Sequence, residues 1–379
     1  MMQRICILCQ SWQSGGIESF LTNVLLHMDR SALEVDLVVE RLEQSIFIAD
    51  LQRAGIHIIE LSGRLNDPKN YLLFARLLRE KRYRVVHLNL FQSLSLIYLW
   101  LARRAGTPVR IAHSHNTALR RSRTQFPKLL LHQLGKLLFS GCATEFWACS
   151  RAAALFMFPG RQLRRNQFRF IPNGIDSRRF HFSSTGRREL RQELGLADRF
   201  ILCSVGRLCQ QKNQDFLLDV LSSLLRRCPE CMLLLIGEGE ARSALEEKAR
   251  LLDIEAHVCF YGVSQQVEKL LWAADVFVFP SLFEGLGIVA IEAQAAGLPT
   301  FCSEHVPDEA LVSALAERLP LTLGADGWAE RLATLAPGLS DEMREQADIS
   351  PDFDIHTVAE KLRMRYLQEE YEGSDSRAG

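Results

Sequence analysis

The chain has no apolar stretch long enough to cross a bilayer: its longer runs, such as Leu94 to Ala102, fall well short of the ~20 residues a spanning helix needs. The run near the start, Ile5 to Cys9, is also too short for the apolar core of a secretory leader, so the chain is expected to stay in the cytoplasm. Repeats and low-complexity segments are missing, and the 12 prolines and 23 glycines are not concentrated in any tract. A long disordered region is therefore excluded, and disorder is expected only in the tail, Gly373 to Gly379. The ten cysteines include two Cys-x-x-Cys pairs, Cys6/Cys9 and Cys228/Cys231, but their separation is far beyond the ~15 to 20 residues of a zinc ribbon. Cys6 and Cys9 also fall on an expected strand, where an odd offset turns them to opposite faces, so these cysteines read as reduced core thiols.

Net charge is also missing, yet the balance is local rather than uniform. Residues 1–180 hold 26 Lys and Arg against 12 Asp and Glu, and residues 101–180 hold 15 basic residues against only Glu145 and Asp176. So long a one-signed stretch repels itself unless it meets a negative partner. Nucleic acid is not that partner, because no aromatic platform is interleaved with the charge.

A length of 379 residues suits two domains better than one. Short β-branched runs alternate with helical patterns, the signature of parallel sheets covered on both faces. The first series of strands is expected at Ile5–Leu8, Val35–Val39, Ile56–Ile59, Val85–Leu88, Val109–Ala112, Phe146–Cys149 and Phe168–Ile171. The turn-forming Pro172-Asn173-Gly174 interrupts the alternation, and it restarts at Phe200–Val205, Met232–Ile236, Val258–Tyr261, Val276–Phe279 and Thr300–Cys302. The expected architecture is α/β, with two Rossmann-like doubly wound domains facing a cleft. The first covers residues 1–180 and the second 187–350, with the boundary near 180–186 and a last helix, 355–371, crossing back onto the first.

Val205-Gly206-Arg207-Leu208 leaves the first strand of the second domain, and Lys212-Asn213 follows at the start of a helix. Two cations beside a helix N-terminus suit a diphosphate. After the strand at 276–279 comes Glu284-Gly285-Leu286-Gly287, then Glu292 two helical turns further on. The glycines let bare N–H groups approach an anion, and the glutamates suit sugar hydroxyls rather than phosphate. Ser14-Gly15-Gly16 opens a helix after the first strand, and His113 and His115 share one face at the end of another. Asp352-Phe353-Asp354 spells a metal-binding triplet, but it stands where Asp354 caps the last helix, so no essential metal is expected. Gly237-Glu238-Gly239 lacks the third glycine of a dinucleotide fingerprint.

Gly206-Arg207 with Lys212-Asn213, followed by Glu284-x7-Glu292 and Ala295-Ala296-Gly297-Leu298-Pro299, resembles family four of the retaining glycosyltransferases with the GT-B fold. The nearest likeness is to the capsular and exopolysaccharide type, and it spans essentially the whole chain. The resemblance implies that Arg207 and Lys212 hold the donor diphosphate and stabilise it as the leaving group. It implies that Glu284 contacts the donor sugar, that Glu292 binds the ribose, and that backbone N–H groups around Gly285, Leu286 and Gly287 complete the anion site. Gly15 and Gly16 would close over the donor phosphate, His115 would lie near the transferred sugar, and Gly237 to Glu240 would line the base. The expected reaction is retaining transfer of a hexose or hexosamine from a nucleotide-diphosphate sugar, UDP-linked, to a lipid-linked or saccharide acceptor. The basic first domain, with Arg120, Arg121, Arg123, Arg164 and Arg165, would meet an anionic membrane surface, placing the chain on the inner face of the membrane. Acceptor choice is expected in the loops at 61–70 and 117–127. Two rival readings share the fold: a sugar-nucleotide 2-epimerase, and a nucleotide-sugar-binding subunit without activity.

Overall fold

The computed structural model describes residues 2–12, 16–90, 92–117, 125–161, 168–335 and 339–368. The chain divides into two compact units, residues 1–175 with 352–379, and residues 176–351. The change of unit comes at Ile175/Asp176, a few residues before the 180–186 segment, because Asp176 already caps a short helix, Ser177–Phe180, that packs in the second unit.

The first unit is a seven-stranded parallel sheet of β1 (Gln3–Trp12), β2 (Leu33–Leu42), β3 (His57–Glu60), β4 (Val85–Leu90), β5 (Val109–Ser114), β6 (Glu145–Ala148) and β7 (Phe168–Phe170). Their spatial order is β3-β2-β1-β4-β5-β6-β7. β1, β4 and β5 are covered on both faces, which is why Ile5 to Cys9 of β1 reads as a continuous apolar run, while β4 carries buried polar residues at alternate positions and β5 carries them at its end. Ile5, Ile7, Leu37, Val85 and Ile111 pack with Phe20, Leu21, Val24 and Leu25 of the Gly16–His27 helix and with Val358, Leu362 and Tyr366 of the Ile355–Leu367 helix. That last helix belongs to the first unit. It is anchored there by Ile175, whose N–H donates to Phe353 O and whose carbonyl accepts from Ile355 N, both at 2.8 Å.

The second unit is a six-stranded parallel sheet of β8 (Phe200–Val205), β9 (Cys231–Ile236), β10 (Val258–Gly262), β11 (Val276–Phe279), β12 (Thr300–Ser303) and β13 (Ala316–Leu319). The order β10-β9-β8-β11-β12-β13 repeats the doubly wound pattern of the first sheet. β13 is absent from the sequence reading because Ala-Glu-Arg-Leu is a partly exposed edge strand with two charges, recognisable only by its pairing with β12. In each sheet the order reverses beside the first strand, between β1 and β4 and between β8 and β11, and such switch points bind ligands at the carboxyl ends of the strands.

The Cys-x-x-Cys pairs lie in different units, and all four thiols are free and buried. Asp354 caps the last helix, accepting from His356 N and Thr357 N, and Asp352 pairs with Lys361 at 2.6 Å. Both carboxylates of the triplet are thus engaged in local structure.

Candidate functional site

The switch point of the second unit gathers two loops. The loop after β8 carries Gly206, Arg207 and Lys212, and the loop after β11 carries Pro280 to Gly287. Three hydrogen bonds tie them together: Leu282 N to Gln211 O at 2.8 Å, Gln211 Nε2 to Phe283 O at 2.9 Å and Asn213 Nδ2 to Pro280 O at 3.1 Å. Gln214 braces the first loop from within, donating to Arg207 O at 3.0 Å and accepting from Cys209 N. A third segment supports the backbone from behind. Gly237 follows β9 with φ +135°, and a Cβ there would sit 2.1 Å from Gly206 O, so only glycine admits the contact. The Gly-x-Gly of 237–239 therefore seats the Gly206–Leu208 loop, and Leu208 N donates to Glu238 O at 3.1 Å.

Lys212 and Glu284 meet directly, Nζ to Oε1 at 2.7 Å, and both side chains are largely buried. The ammonium also lies 4.6 Å from the centroid of the Phe279 ring, so its charge is held by a carboxylate and an aromatic face. Arg207 differs: it is exposed, and among the described residues its guanidinium has no carboxylate partner. Gly287 begins the Ile288–Ala295 helix with φ +91° and no side chain to cap it, so the first-turn N–H groups keep their positive end uncovered. The arrangement is a cation with no carboxylate partner among the described residues, a second cation paired with one carboxylate and an uncapped helix start, at the carboxyl ends of two neighbouring strands, which is chemistry for an anion.

Glu292 lies on that helix, its carbonyl accepting from Ala296 N at 3.0 Å, while its carboxylate makes no hydrogen bond among the described residues. Burial pushes its carboxyl up to about 8; Arg179 opposes the shift and Glu268 adds to it. The charges acting on Glu292 are thus those of the Ser177–Phe180 and Val267–Ala273 helices, where Arg179 and Glu268 pair at 2.8 Å.

In the first unit, β4 and β5 place a polar chain inside an apolar sheet. Tyr366 Oη lies 2.7 Å from His87 Nδ1, His87 Nε2 lies 3.0 Å from His113 Nδ1, and His115 Nε2 lies 2.9 Å from Asn89 Oδ1. The His113 and His115 rings are 4.0 Å apart at their centroids, and Phe20 packs on both. Asn89 Oδ1 can only accept, so His115 carries its proton on Nε2 and its Nδ1 is a bare acceptor. That nitrogen, His113 Nε2 and Asn89 Nδ2 are buried without a hydrogen-bond partner among the described residues. Burial drives His87 and His115 down to about 3 and His113 well below its usual value. All three are neutral rings at physiological pH. Gly16 opens its helix at the end of β1, while Gly15, together with Arg120, Arg121, Arg123, Arg164 and Arg165, lies outside the described residues.

Residues 15–174 match the glycosyl transferase 4-like domain, and residues 186–314 match the glycosyl transferases group 1 family. The putative glycosyltransferase EpsF of Bacillus subtilis is 31% identical over 346 residues, covering 88% of each chain. The chain belongs to the family four glycosyltransferases. A UDP-Gal:alpha-D-GlcNAc-diphosphoundecaprenol alpha-1,3-galactosyltransferase of Escherichia coli is 25% identical over 253 residues, 65% of each chain. Among solved structures, Anabaena Alr3699/HepE in complex with UDP shares the GT-B fold with a TM-score of 0.79, at 19% identity over 97% of this chain and 100% of that one.

In this glycosyltransferase the residues named from the sequence fall into two groups. Arg207, Lys212, Glu284, Leu286 and Gly287 converge at one switch point, with Glu292 farther along the helix, and His115 and Gly16 belong to the first unit. Sequence reasoning picked out Asn213 in the Lys212-Asn213 motif but not its bond to Pro280 O, and it missed the braces Gln211 and Gln214 together with His87, Asn89 and Tyr366. The strand Val-Val-His-Leu-Asn-Leu does carry a signal. His87 and Asn89 alternate in an apolar run as His113 and His115 do, and polar residues sharing one face of two adjacent strands imply a buried network.

Proposed function

We propose that this glycosyltransferase moves a hexose or hexosamine, with retention of configuration, from a UDP-sugar to a lipid-linked glycan in polysaccharide or surface-glycan synthesis. The observation that carries the reading is the second unit's switch point, which brings together Arg207, without a carboxylate partner among the described residues, the Lys212–Glu284 pair and an uncapped helix start, a set suited to a diphosphate. The C1–O bond to the diphosphate breaks, the acceptor oxygen bonds to the same face of C1, and the acceptor proton passes to the departing phosphate oxygen. The protein's part is to position the donor and to stabilise the charge that develops on the leaving group. Arg207, Lys212 and the helix start supply that stabilisation, which makes a divalent metal dispensable. The E. coli relative, whose name joins a UDP-sugar to a diphosphoundecaprenol acceptor, supports the donor and acceptor classes. The basic first unit would hold such an acceptor at an anionic membrane surface.

The test is release of nucleotide diphosphate from UDP-, GDP- and ADP-sugars, with and without a membrane lipid extract and with excess chelator, in wild type and Arg207→Ala. Lipid-dependent release from the UDP-sugar, resistant to chelator and lost in the variant, is expected. Acceptor-independent conversion of the donor sugar to its 2-epimer, read by chromatography of the sugar products, would replace transfer by epimerisation, and nucleotide binding without turnover under any condition would leave a binding subunit.

A further inference from the structure

The Gln125–Phe139 helix of the first unit is amphipathic in the reverse sense. Its inward side is polar and small: His132 and Gly135 pack against the turn at Ser93–Leu96, where Ser93 Oγ donates to His132 O. A Cβ at Gly135 would fall 2.6 Å from Ser93 Oγ and 2.9 Å from its carbonyl carbon, so this close docking requires glycine. His132 Nε2 reaches Phe156 O at 3.2 Å, and Lys136 Nζ donates to the same carbonyl at 2.7 Å. The leucines face the other way. At 100° per residue, Leu130, Leu131, Leu134, Leu137 and Leu138 occupy an arc of roughly 120°. They are 42% to 76% exposed. Five outward leucines on one helix face are not scattered surface residues, and a contiguous apolar face of this kind marks an interaction site.

Charge distinguishes the occupant. Between Glu80 and Glu145 the chain carries 11 Lys and Arg and not one acidic residue, and this segment includes the whole helix. A second copy of the chain would bring the same positive charge to the interface and repel it, whereas an anionic bilayer complements it. An apolar helical face flanked by one-signed basic sequence is the pattern of a helix that lies in the membrane interface with its leucines among the acyl chains. We infer that the outward leucine face of the Gln125–Phe139 helix inserts into the surface of an anionic lipid bilayer and is the site through which the first unit docks. This rests on the reading of the protein as a transferase acting on lipid-linked acceptors, and it adds to that reading the element that reaches the lipid.

The test is sedimentation of the full chain with vesicles of phosphatidylglycerol and phosphatidylethanolamine, and with vesicles of phosphatidylcholine alone. Three proteins are compared: wild type, a Leu137→Asp/Leu138→Asp variant, and a control, Leu72→Asp, which alters an equally exposed leucine on the Pro68–Lys81 helix. Binding of wild type to the anionic vesicles is expected, with a fall of about tenfold or more in the double variant and no change in the control. Both substituted leucines face solvent, so the fold should survive, and far-ultraviolet circular dichroism with a thermal melt checks that it does. Equal binding by all three proteins would overturn the assignment of this helix, and absence of wild-type binding to anionic vesicles would overturn the docking proposal altogether. A wild-type dimer that the double variant dissolves, with vesicle binding unchanged, would overturn it in favour of a second copy. Because the assay reads no sugar transfer, none of these outcomes is confused with failure of the transferase assignment.

Discussion

The neutral histidines of the first unit set a definite acid limit on its stability. An unfolded histidine titrates near 6.5, whereas burial holds His87 and His115 at about 3. Above pH 6.5 both states are neutral and the rings contribute nothing to pH dependence. As pH falls below that, the unfolded chain takes up protons that the folded one refuses, so stability is lost progressively from about 6.5 down towards 3. At pH 5 the loss is about 2 kcal/mol for each of the two rings, or about 4 kcal/mol together, and His113 adds in the same direction. Set against the ~5 to 15 kcal/mol of an ordinary domain, this is a large fraction. The assay is urea unfolding of the whole chain between pH 7.5 and 5, followed by hydrogen exchange in peptides from each unit, because two units need not unfold together. The midpoint for β4 and β5 peptides should fall steeply with acid, and an otherwise folded His87→Gln variant should show a shallower slope. A flat response in these peptides between pH 7 and 5 would refute the neutral-ring account.

Glu292 makes a second pH prediction. With its carboxyl near 8 in the free protein, hydroxyl donors from a bound ribose should favour the charged form and release a proton at pH 7.5. Calorimetry of UDP binding in buffers of differing ionisation enthalpy should show that release in wild type and less of it in Glu292→Gln; identical buffer dependence in both would count against the ribose role. Arg207→Ala should cost about 2.7 to 4 kcal/mol of transition-state stabilisation, roughly a hundred- to thousandfold in turnover. Because Arg207 is exposed and lacks a carboxylate partner, its thermal stability should stay near wild type, and near-normal turnover would remove it from the diphosphate site.

The sheets were legible because a strand buried on both faces is mostly apolar, and β1, β8 and β11 announce themselves that way. β13 was not, since an edge strand owes its identity to its neighbour rather than to its own residues. The switch-point loops were legible where glycine or charge departs from the surrounding pattern, as at Gly206-Arg207 and Glu284 to Gly287. Their braces were not. Gln211 and Gln214 are ordinary loop and helix residues until the partner carbonyls at Phe283 and Arg207 are known. Gly237 was visible as a glycine, but its reason, a backbone oxygen 2.1 Å from where a Cβ would stand, belongs to a strand-end loop some 30 residues earlier.

The Lys212–Glu284 pair bears on how one site could hold a diphosphate and a sugar in turn. In the structure each group compensates the other, which avoids the cost of a buried lone charge. On the proposed reading, the donor brings an anion for the ammonium and hydroxyl donors for the carboxylate, so both can exchange partners without either being left bare. The two functions then separate in a Glu284→Gln variant. With the competing carboxylate neutralised, Lys212 is free to meet phosphate, so UDP should bind at least as tightly as in wild type. The sugar loses a charged acceptor for its hydroxyl, so turnover should fall while the Kd for UDP does not rise. Titration calorimetry with UDP beside single-turnover kinetics reads the two effects apart. If UDP affinity collapses together with turnover, the pair is a structural clasp that shapes the loop, and the donor sugar must find its carboxylate elsewhere.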